Sequence, residues 1–265
     1  MTPSLNLIIS KFSELNRDDF EQIKMLLDDI CSQIALRFNL CQCDGKPNKG
    51  AIIDILADSP CVACVLKMFS DRMNDRVDAL YKECHKLAVN VLTEELYYTL
   101  NQLGYNVIIS TESELEYGKA DIIIRVTNYG LNLKNKVKEL LIEVKTGNSL
   151  SLTQIFRYFM DSRSETIIIW RIIKHQVLVF DACEIRPLLA GFIRMLCLRG
   201  IRLLSSQHIQ PCQHKQKHLH NHQQKKIEEM FEEFSKALIE TLPLILQVII
   251  EKLEISKPQL QEGPQ

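Results

Sequence analysis

The sequence predicts an α/β fold, with a mixed central sheet flanked by helices and with helical extensions at both ends. Residues 85–181 alternate between segments with helical apolar spacing and short runs rich in β-branched residues. The flanking segments 17–38 and 227–253 show helical spacing only. The chain of 265 residues is long enough to bury one such core and some smaller helical parts.

The N-terminal region, residues 1–84, is predicted to be helical, with a loop at 45–50. Six of the nine cysteines fall in this region. The short spacings favour a Zn²⁺ site or an iron–sulfur cluster at Cys41, Cys43, Cys61 and Cys64. Buried, small hydrophobic thiols are the leading alternative. Disulfides are a third, if the source is hyperthermophilic.

The core, residues 85–185, is predicted to begin with a helix that ends at Gly104. Five segments are then typical of strands: 106–110, 122–126, 140–145, 164–173 and 176–180. A further helix lies between the third and fourth of them, and Lys174 and His175 form a tight turn before the last. This order predicts a mixed sheet with helices on its faces.

Three charged residues mark two of these strands. Asp121 opens the strand at 122–126, while Glu143 and Lys145 alternate on the strand at 140–145, so that both leave the same face. If the two strands are neighbours, two carboxylates and an ammonium group share one surface. Such a set suits Mg²⁺ or Mn²⁺ held against a phosphodiester. A solvated face is the alternative, but the strand is otherwise apolar.

These residues resemble the PD-(D/E)xK nuclease superfamily over residues 85–181, with Ala120-Asp121 in place of the proline-aspartate element. The resemblance implies a restriction-endonuclease-like core and Mg²⁺ or Mn²⁺ as the cofactor. It implies that Asp121 and Glu143 are metal ligands. It also implies that Lys145 positions the attacking water or stabilises developing phosphate charge.

Gln154 and Tyr158 resemble the Gln-x-x-x-Tyr motif of RecB-type nucleases. Four residues apart on a helix, they would share one face and could contact nucleic acid beside the metal. Gln154 has an alternative role, because Ser151 and Gln154 have the spacing of a capping box. For Tyr158 the alternative is ordinary amphipathic packing.

In this superfamily the first core helix often lends a third acidic group or a histidine to the site. Glu95 lies beside the apolar stripe of the predicted helix and His85 lies on it. Either residue could be the extra ligand or base, and Glu95 is the first choice. A surface or helix-end role is the alternative for each.

Residues 186–226 are predicted to be a basic, histidine-rich linker region. It contains no acidic residue between Glu184 and Glu228, but eight basic ones that could track a phosphate backbone or meet an acidic partner: Arg186, Arg194, Arg199, Arg202, Lys215, Lys217, Lys225 and Lys226. Residues 227–265 are predicted to form an amphipathic helix, interrupted at Pro243, and a tail. Its apolar stripe would be covered by the N-terminal helices or by a second copy in a homo-oligomer.

The sequence lacks an apolar stretch long enough to span a membrane and an N-terminal signal peptide, so a cytoplasmic location is expected. The resemblance implies a metal-dependent DNA nuclease. A RecB-like exonuclease on single strands or ends, in DNA repair or CRISPR-type processing, is the first hypothesis. A structure-selective endonuclease is the second. A non-catalytic nucleic-acid-binding or assembly module on the same fold is the alternative from a different class.

Overall fold

The computed structural model describes residues 4–15, 19–38, 40, 46–58, 79–127, 137–147, 150–161, 165–206 and 227–254. The helices are α1 (Leu5–Glu14), α2 (Phe20–Phe38), α3 (Lys49–Asp58), α4 (Ala79–Gln102), α5 (Leu152–Met160), α6 (Ala182–Ser205) and α7 (Ile227–Glu254). The strands are β1 (Val107–Leu115), β2 (Gly118–Thr127), β3 (Val137–Lys145), β4 (Thr166–Arg171) and β5 (Gln176–Asp181). The predicted α/β fold with a mixed sheet is confirmed.

The five strands form one sheet in the order β1-β2-β3-β4-β5. Neighbouring strands are antiparallel except for β3 and β4, which are parallel. Parallel neighbours need a crossover connection, and α5 lies in that connection. The carboxyl end of β3 therefore leads directly toward the N-terminus of α5.

Both faces of β3 are buried over residues 139–144, which explains why this strand is almost continuously apolar. Leu141 packs in a core shared with α1, α2, α3, α5 and α6. Its neighbours Leu140 and Ile142 point the other way, into a core shared with α4 and α7. The N-terminal helices thus pack on the same sheet face as α5, the helix that carries Gln154.

The C-terminal helix differs from its prediction, because α7 runs through Pro243 without a break. A proline inside a helix costs about 3 kcal/mol, so packing has to compensate. Ile245 and Ile249 are fully buried, and Trp170 Nε1 of β4 donates to Thr241 Oγ1 at 2.9 Å. The buried side of α7 packs on the sheet and α4, rather than on the described N-terminal helices.

The predicted linker at 186–226 is also corrected in its first half, since residues 186–205 belong to α6. Leu189 and Ile193 are fully buried on its inner side. Arg199 Nη1 donates to the carbonyls of Leu56 and Ala57 in the last turn of α3, at 2.6 and 2.5 Å. This basic side chain therefore satisfies a helix end. The histidine-rich part, 207–226, lies outside the described residues.

Cys41, Cys43, Cys61 and Cys64, the proposed ligands of a zinc ion or iron–sulfur cluster, lie outside the described residues. Three of the described cysteines are buried free thiols, namely Cys31, Cys84 and Cys197. Burial raises the pKa of Cys197 to about 12, so this thiol is inert at neutral pH.

None of the described helices is both long enough and apolar enough to span a membrane.

Candidate functional site

The site lies where β2 and β3 separate. Their paired register ends at Ile122 and Ile142, one residue after Asp121 along β2. Asp121 Oδ2 accepts a hydrogen bond from Val144 N at 2.7 Å, so a side-chain carboxylate bonds the backbone of the neighbouring strand. Asp121 therefore bridges the gap between the two strands. Its second carboxylate oxygen is left to contact neighbouring side chains.

Glu143 and Lys145 meet Asp121 at this edge from β3. Their side chains lie on one face, as the spacing predicts, and Lys145 Nζ donates to Glu143 Oε1 at 2.6 Å. Glu143 is only 4% exposed. A carboxylate this deeply buried needs hydrogen-bond partners, and Lys145 is the first of three.

Gln154 and Tyr158 are the other two partners of Glu143. Ser151 Oγ caps α5 by accepting from Gln154 N at 3.4 Å, which leaves the Gln154 side chain free for the site. Gln154 Nε2 donates to Glu143 Oε1 at 2.6 Å and lies 2.7 Å from the Tyr158 hydroxyl. Gln154 Oε1 accepts from Lys145 Nζ at 2.7 Å. One amide therefore fixes three functional groups.

The Tyr158 hydroxyl is hydrogen-bonded to Glu143 Oε2 and lies 3.0 Å from the carbonyl of Lys119. Tyr158 is only 2% exposed, so in this structure it has almost no surface for the predicted contact with nucleic acid. The reason is that α5 turns its apolar side onto the sheet and carries the tyrosine with it. Tyr158 positions Glu143 instead.

His85 and Glu95, the two candidates on the first core helix, have different positions. His85 Nε2 lies 3.1 Å from Asp121 Oδ1. Glu95 is exposed and lies ten residues further along α4, which corresponds to about 15 Å of helix rise. The choice of Glu95 as the site residue is therefore corrected in favour of His85, since His85 is the one of the two that contacts Asp121.

The electrostatics of the site couple its two carboxylates. Burial and the nearby Asp121 charge raise the pKa of Glu143, while Lys145 opposes the shift. The hydrogen bond to Asp121 raises the pKa of His85, although partial burial acts in the opposite direction. Two neighbouring carboxylates repel each other, so a cation is favoured beside them.

Two residues near Asp121 were not predicted from the sequence to lie at the site. Glu112, opposite Asp121 on β1, has a positive φ of 48°, and Lys119 Nζ lies 2.6 Å from its Oε2. The β1–β2 register passes from Thr111 to Ser113 without a pair at Glu112, so the sheet is distorted on this side of Asp121 as well. The two-residue turn after Leu115 is the sequence signal that could have predicted how β1 pairs with β2.

The N-terminal helices support the site through the β1–β2 hairpin. The Tyr117 hydroxyl in this turn donates to Asp28 of α2 at 2.8 Å. Arg157 Nη1 of α5 donates to the carbonyl of Tyr117 at 2.8 Å. The hairpin is thus held by both α2 and α5, and the carbonyl of Lys119 lies 3.0 Å from the Tyr158 hydroxyl.

The donor set fits Mg²⁺ or Mn²⁺. Each of these ions is typically held by one or two carboxylates, with waters and substrate phosphates completing the shell. Asp121 and Glu143 provide two carboxylates, and a carboxylate oxygen that accepts one hydrogen bond keeps a further lone pair. Within the described ranges, no group of three or more His, Cys, Asp or Glu side chains is arranged to hold a metal ion. A metal here would therefore depend on Asp121, Glu143 and non-protein ligands.

Comparisons with protein-family models, curated proteins and solved structures give no match for this chain. The chemistry of the site itself is therefore the basis for a functional assignment.

The His85–Asp121 pair predicts a pH-dependent contribution to stability. A histidine whose pKa is raised in the folded state stabilises below the unfolded pKa of about 6.5, and this contribution is lost as the pH rises through the raised value. We expect His85→Gln to lower the free energy of unfolding by about 0.5–1 kcal/mol at pH 5.5 and by less at pH 8.5. Urea unfolding of both proteins in EDTA measures the difference. An equal loss at the two pH values would contradict an ionic pair.

Proposed function

We propose that this protein is a metal-dependent deoxyribonuclease of the PD-(D/E)xK type, built on a restriction-endonuclease-like core. The observation that carries the proposal is the hydrogen-bonded cluster of Glu143, Lys145, Gln154 and Tyr158, with Asp121 beside it. These residues come from two strands and a helix, and each belongs to a motif that resembles this superfamily. Ordinary surface charges have no reason to converge in this way.

Each residue has a distinct role in the proposed hydrolysis. Asp121 and Glu143 would hold the Mg²⁺ or Mn²⁺, which supplies Lewis acidity and lowers the pKa of a bound water. Lys145 places a positive charge where the phosphate becomes more negative. Gln154 and Tyr158 hold the Glu143 carboxylate in one orientation, and His85 does the same for Asp121.

A RecB-like exonuclease that acts on single strands or ends is the first choice within this class, because the chain contains both Gln154 and Tyr158 of the RecB-type motif. DNA repair or CRISPR-type processing would use such an activity. A structure-selective endonuclease is the second choice. The two differ in their products, since an exonuclease releases nucleotides progressively from an end.

One observation favours a non-catalytic nucleic-acid-binding or assembly module instead. Both oxygens of Glu143 are already bound by protein groups, and the residue is almost completely buried. Oε1 accepts two hydrogen bonds, so a metal ion can bind it only if Lys145 or Gln154 moves away, and Oε2 lies against the Tyr158 hydroxyl. If neither oxygen opens to a metal, the cluster is only structural.

Metal binding distinguishes the two functions. Mn²⁺ titrated calorimetrically into the natural protein should bind, and Asp121→Asn should weaken the binding by about 10–100-fold, a typical effect of altering a metal centre. The asparagine can still accept from Val144 N, so the fold should persist. Glu95→Gln, on the same helix as His85 but outside the site, is the control and should bind as the natural protein does. Equal Mn²⁺ binding by the Asp121→Asn protein would exclude the proposed ligand set.

A further inference from the structure

A second basic residue lies beside Lys145 at the same edge of the sheet. The parallel register of β3 and β4 pairs Lys145 with Arg171. Glu143 and Ile169 are the pair two residues earlier, and Ile169 faces the core that contains α5. Because side chains alternate along a strand, Lys145 and Arg171 leave the sheet on that same face. Neighbouring strands are about 4.8 Å apart, so the two cationic side chains are direct neighbours at their backbone ends.

The backbone around Arg171 fixes its position. Ile172 N donates to the carbonyl of Lys145 at 3.1 Å, so the two strands remain bonded up to the end of β3. Lys174 N donates to the carbonyl of Arg171 at 3.2 Å and closes the turn after β4. Arg171 therefore stands on a rigid element, which a precise binding contact requires.

The two cations have contacts of different kinds. Lys145 Nζ contacts the Glu143 carboxylate at 2.6 Å. Arg171 Nη1 donates at 2.9 Å to the side-chain amide oxygen of Gln176 on β5, at the protein surface. A neutral amide orients a guanidinium without neutralising it, and a guanidinium has several N–H donors. Like charges at directly neighbouring strand positions are unfavourable, so this pair suits an anionic ligand better than it suits stability.

The order of the groups along the edge gives the direction of such a ligand. Asp121 lies on β2, and Glu143 and Lys145 lie on β3. The next strand in the sheet, β4, carries Arg171. From β2 to β4 is two strand spacings, about 10 Å. The proposed metal ligands thus lie toward one end of this row, and positive charge lies at the other.

We propose that Arg171 is a substrate-binding residue that holds the phosphate next to the scissile one. This inference rests on the proposed nuclease function and adds the path of the substrate across β3 and β4. The scissile phosphate lies at the metal and Lys145, and the nucleic-acid backbone continues over the edge toward Arg171. A guanidinium binds phosphate oxygens through a fork of parallel hydrogen bonds. The contact is independent of base sequence, because it is made to the backbone.

Fluorescence anisotropy of a labelled single-stranded oligodeoxynucleotide, in EDTA and over a series of salt concentrations, tests the proposal without any cleavage. Arg171→Gln should weaken binding about tenfold at low salt, the order expected for one charge-assisted contact. It should also reduce the slope of log K against log salt by about 0.7, the value for one phosphate contact on a single strand. Arg171→Lys keeps the charge but loses the fork, so it should keep the slope and weaken binding less.

Lys11→Gln is the charge-matched control. Lys11 is an exposed residue of α1, which packs on α2 and α6. The control should bind the oligonucleotide with the affinity and the slope of the natural protein. A purely structural role for Arg171 would lower stability and leave the slope unchanged. An unchanged slope in Arg171→Gln, an equal change in the control, or absence of oligonucleotide binding by the natural protein would overturn the proposal.

Cleavage kinetics separate this inference from the proposed function. Under Mg²⁺, Arg171→Gln should raise KM about tenfold and change kcat by less than about threefold, since the contact is the same in the bound state and the transition state. A fall in kcat with KM unchanged would place Arg171 at the scissile phosphate and overturn the assignment to its neighbour. A natural protein that never cleaves would refute the nuclease, whereas a reduced slope in Arg171→Gln would still support this phosphate contact.

Discussion

Replacement of Glu143 by glutamine should reduce Mg²⁺-dependent cleavage of DNA by about 10³-fold, since a metal-held charge contributes several kcal/mol to the barrier and each 1.4 kcal/mol is a factor of ten. Glutamine keeps an acceptor for Lys145 and Gln154 and offers its amide to the Tyr158 hydroxyl. The geometry of the cluster should therefore survive while one metal ligand is lost. Initial cleavage rates of the two proteins under saturating Mg²⁺ measure the effect. If the variant cleaves at the natural rate, Glu143 has no role in the reaction.

The same substitution should have the opposite effect on stability. The pKa of Glu143 is raised in the folded state, so the protonated form is favoured there. Its contribution to stability is present below the unfolded pKa of about 4.3 and is lost as the pH rises through the raised folded value. Glutamine does not ionise and avoids this loss, so the stability of the variant relative to that of the natural protein should rise between pH 4.5 and pH 8.

Urea unfolding of both metal-free proteins at pH 4.5 and pH 8 tests this sign. The difference between the variant and the natural protein should be larger at pH 8. A difference that does not change with pH would show that Glu143 carries no raised pKa. A destabilised variant at pH 8 would show that the pairing with Lys145 outweighs the cost of burial.

Gly200→Ala should destabilise the protein by about 1–3 kcal/mol, the range for overpacking a core. A Cβ at Gly200 would overlap the Ile30 Cγ2 methyl, where α6 crosses α2. The higher helix propensity of alanine offsets about 1 kcal/mol of this cost. Chemical unfolding measures the net loss, and in an Ile30→Ala background most of the loss should disappear because the overlapping methyl is gone.

Gly191 provides the matched control on the same helix. It is exposed, and a Cβ there would have nothing within 4 Å. Gly191→Ala should therefore stabilise the protein by about 0.5–1 kcal/mol through helix propensity alone. If the two alanine variants change stability in the same direction, the close approach of α2 and α6 at Gly200 does not exist.

Much of the central site could be predicted from the sequence because its signals are local. The alternation of Glu143 and Lys145 within an apolar strand fixes their common face, and the four-residue spacing of Gln154 and Tyr158 fixes theirs. The choice between His85 and Glu95 could not be made in this way. Both lie near the apolar stripe of α4, and only the three-dimensional position of β2 decides which turn passes Asp121.

The same distinction explains the errors outside the site. Arg199 suggested a basic linker because its partners, the carbonyls at the end of α3, lie more than 140 residues away in sequence. Pro243 suggested a break because the packing that holds α7 straight comes from Trp170 and the sheet. Interactions between distant segments overrode local preference in both cases.

Cleavage of end-labelled single-stranded and duplex DNA, with Mg²⁺ or Mn²⁺ and with EDTA, is the most direct test of the proposed nuclease. The natural protein should cut only with metal, and Lys145→Ala should cut at least about 10²-fold more slowly, as expected when a group that stabilises transition-state charge is removed. A product ladder that shortens from one end would identify an exonuclease. DNA that is bound but never cut by the natural protein would contradict the nuclease and leave a binding module.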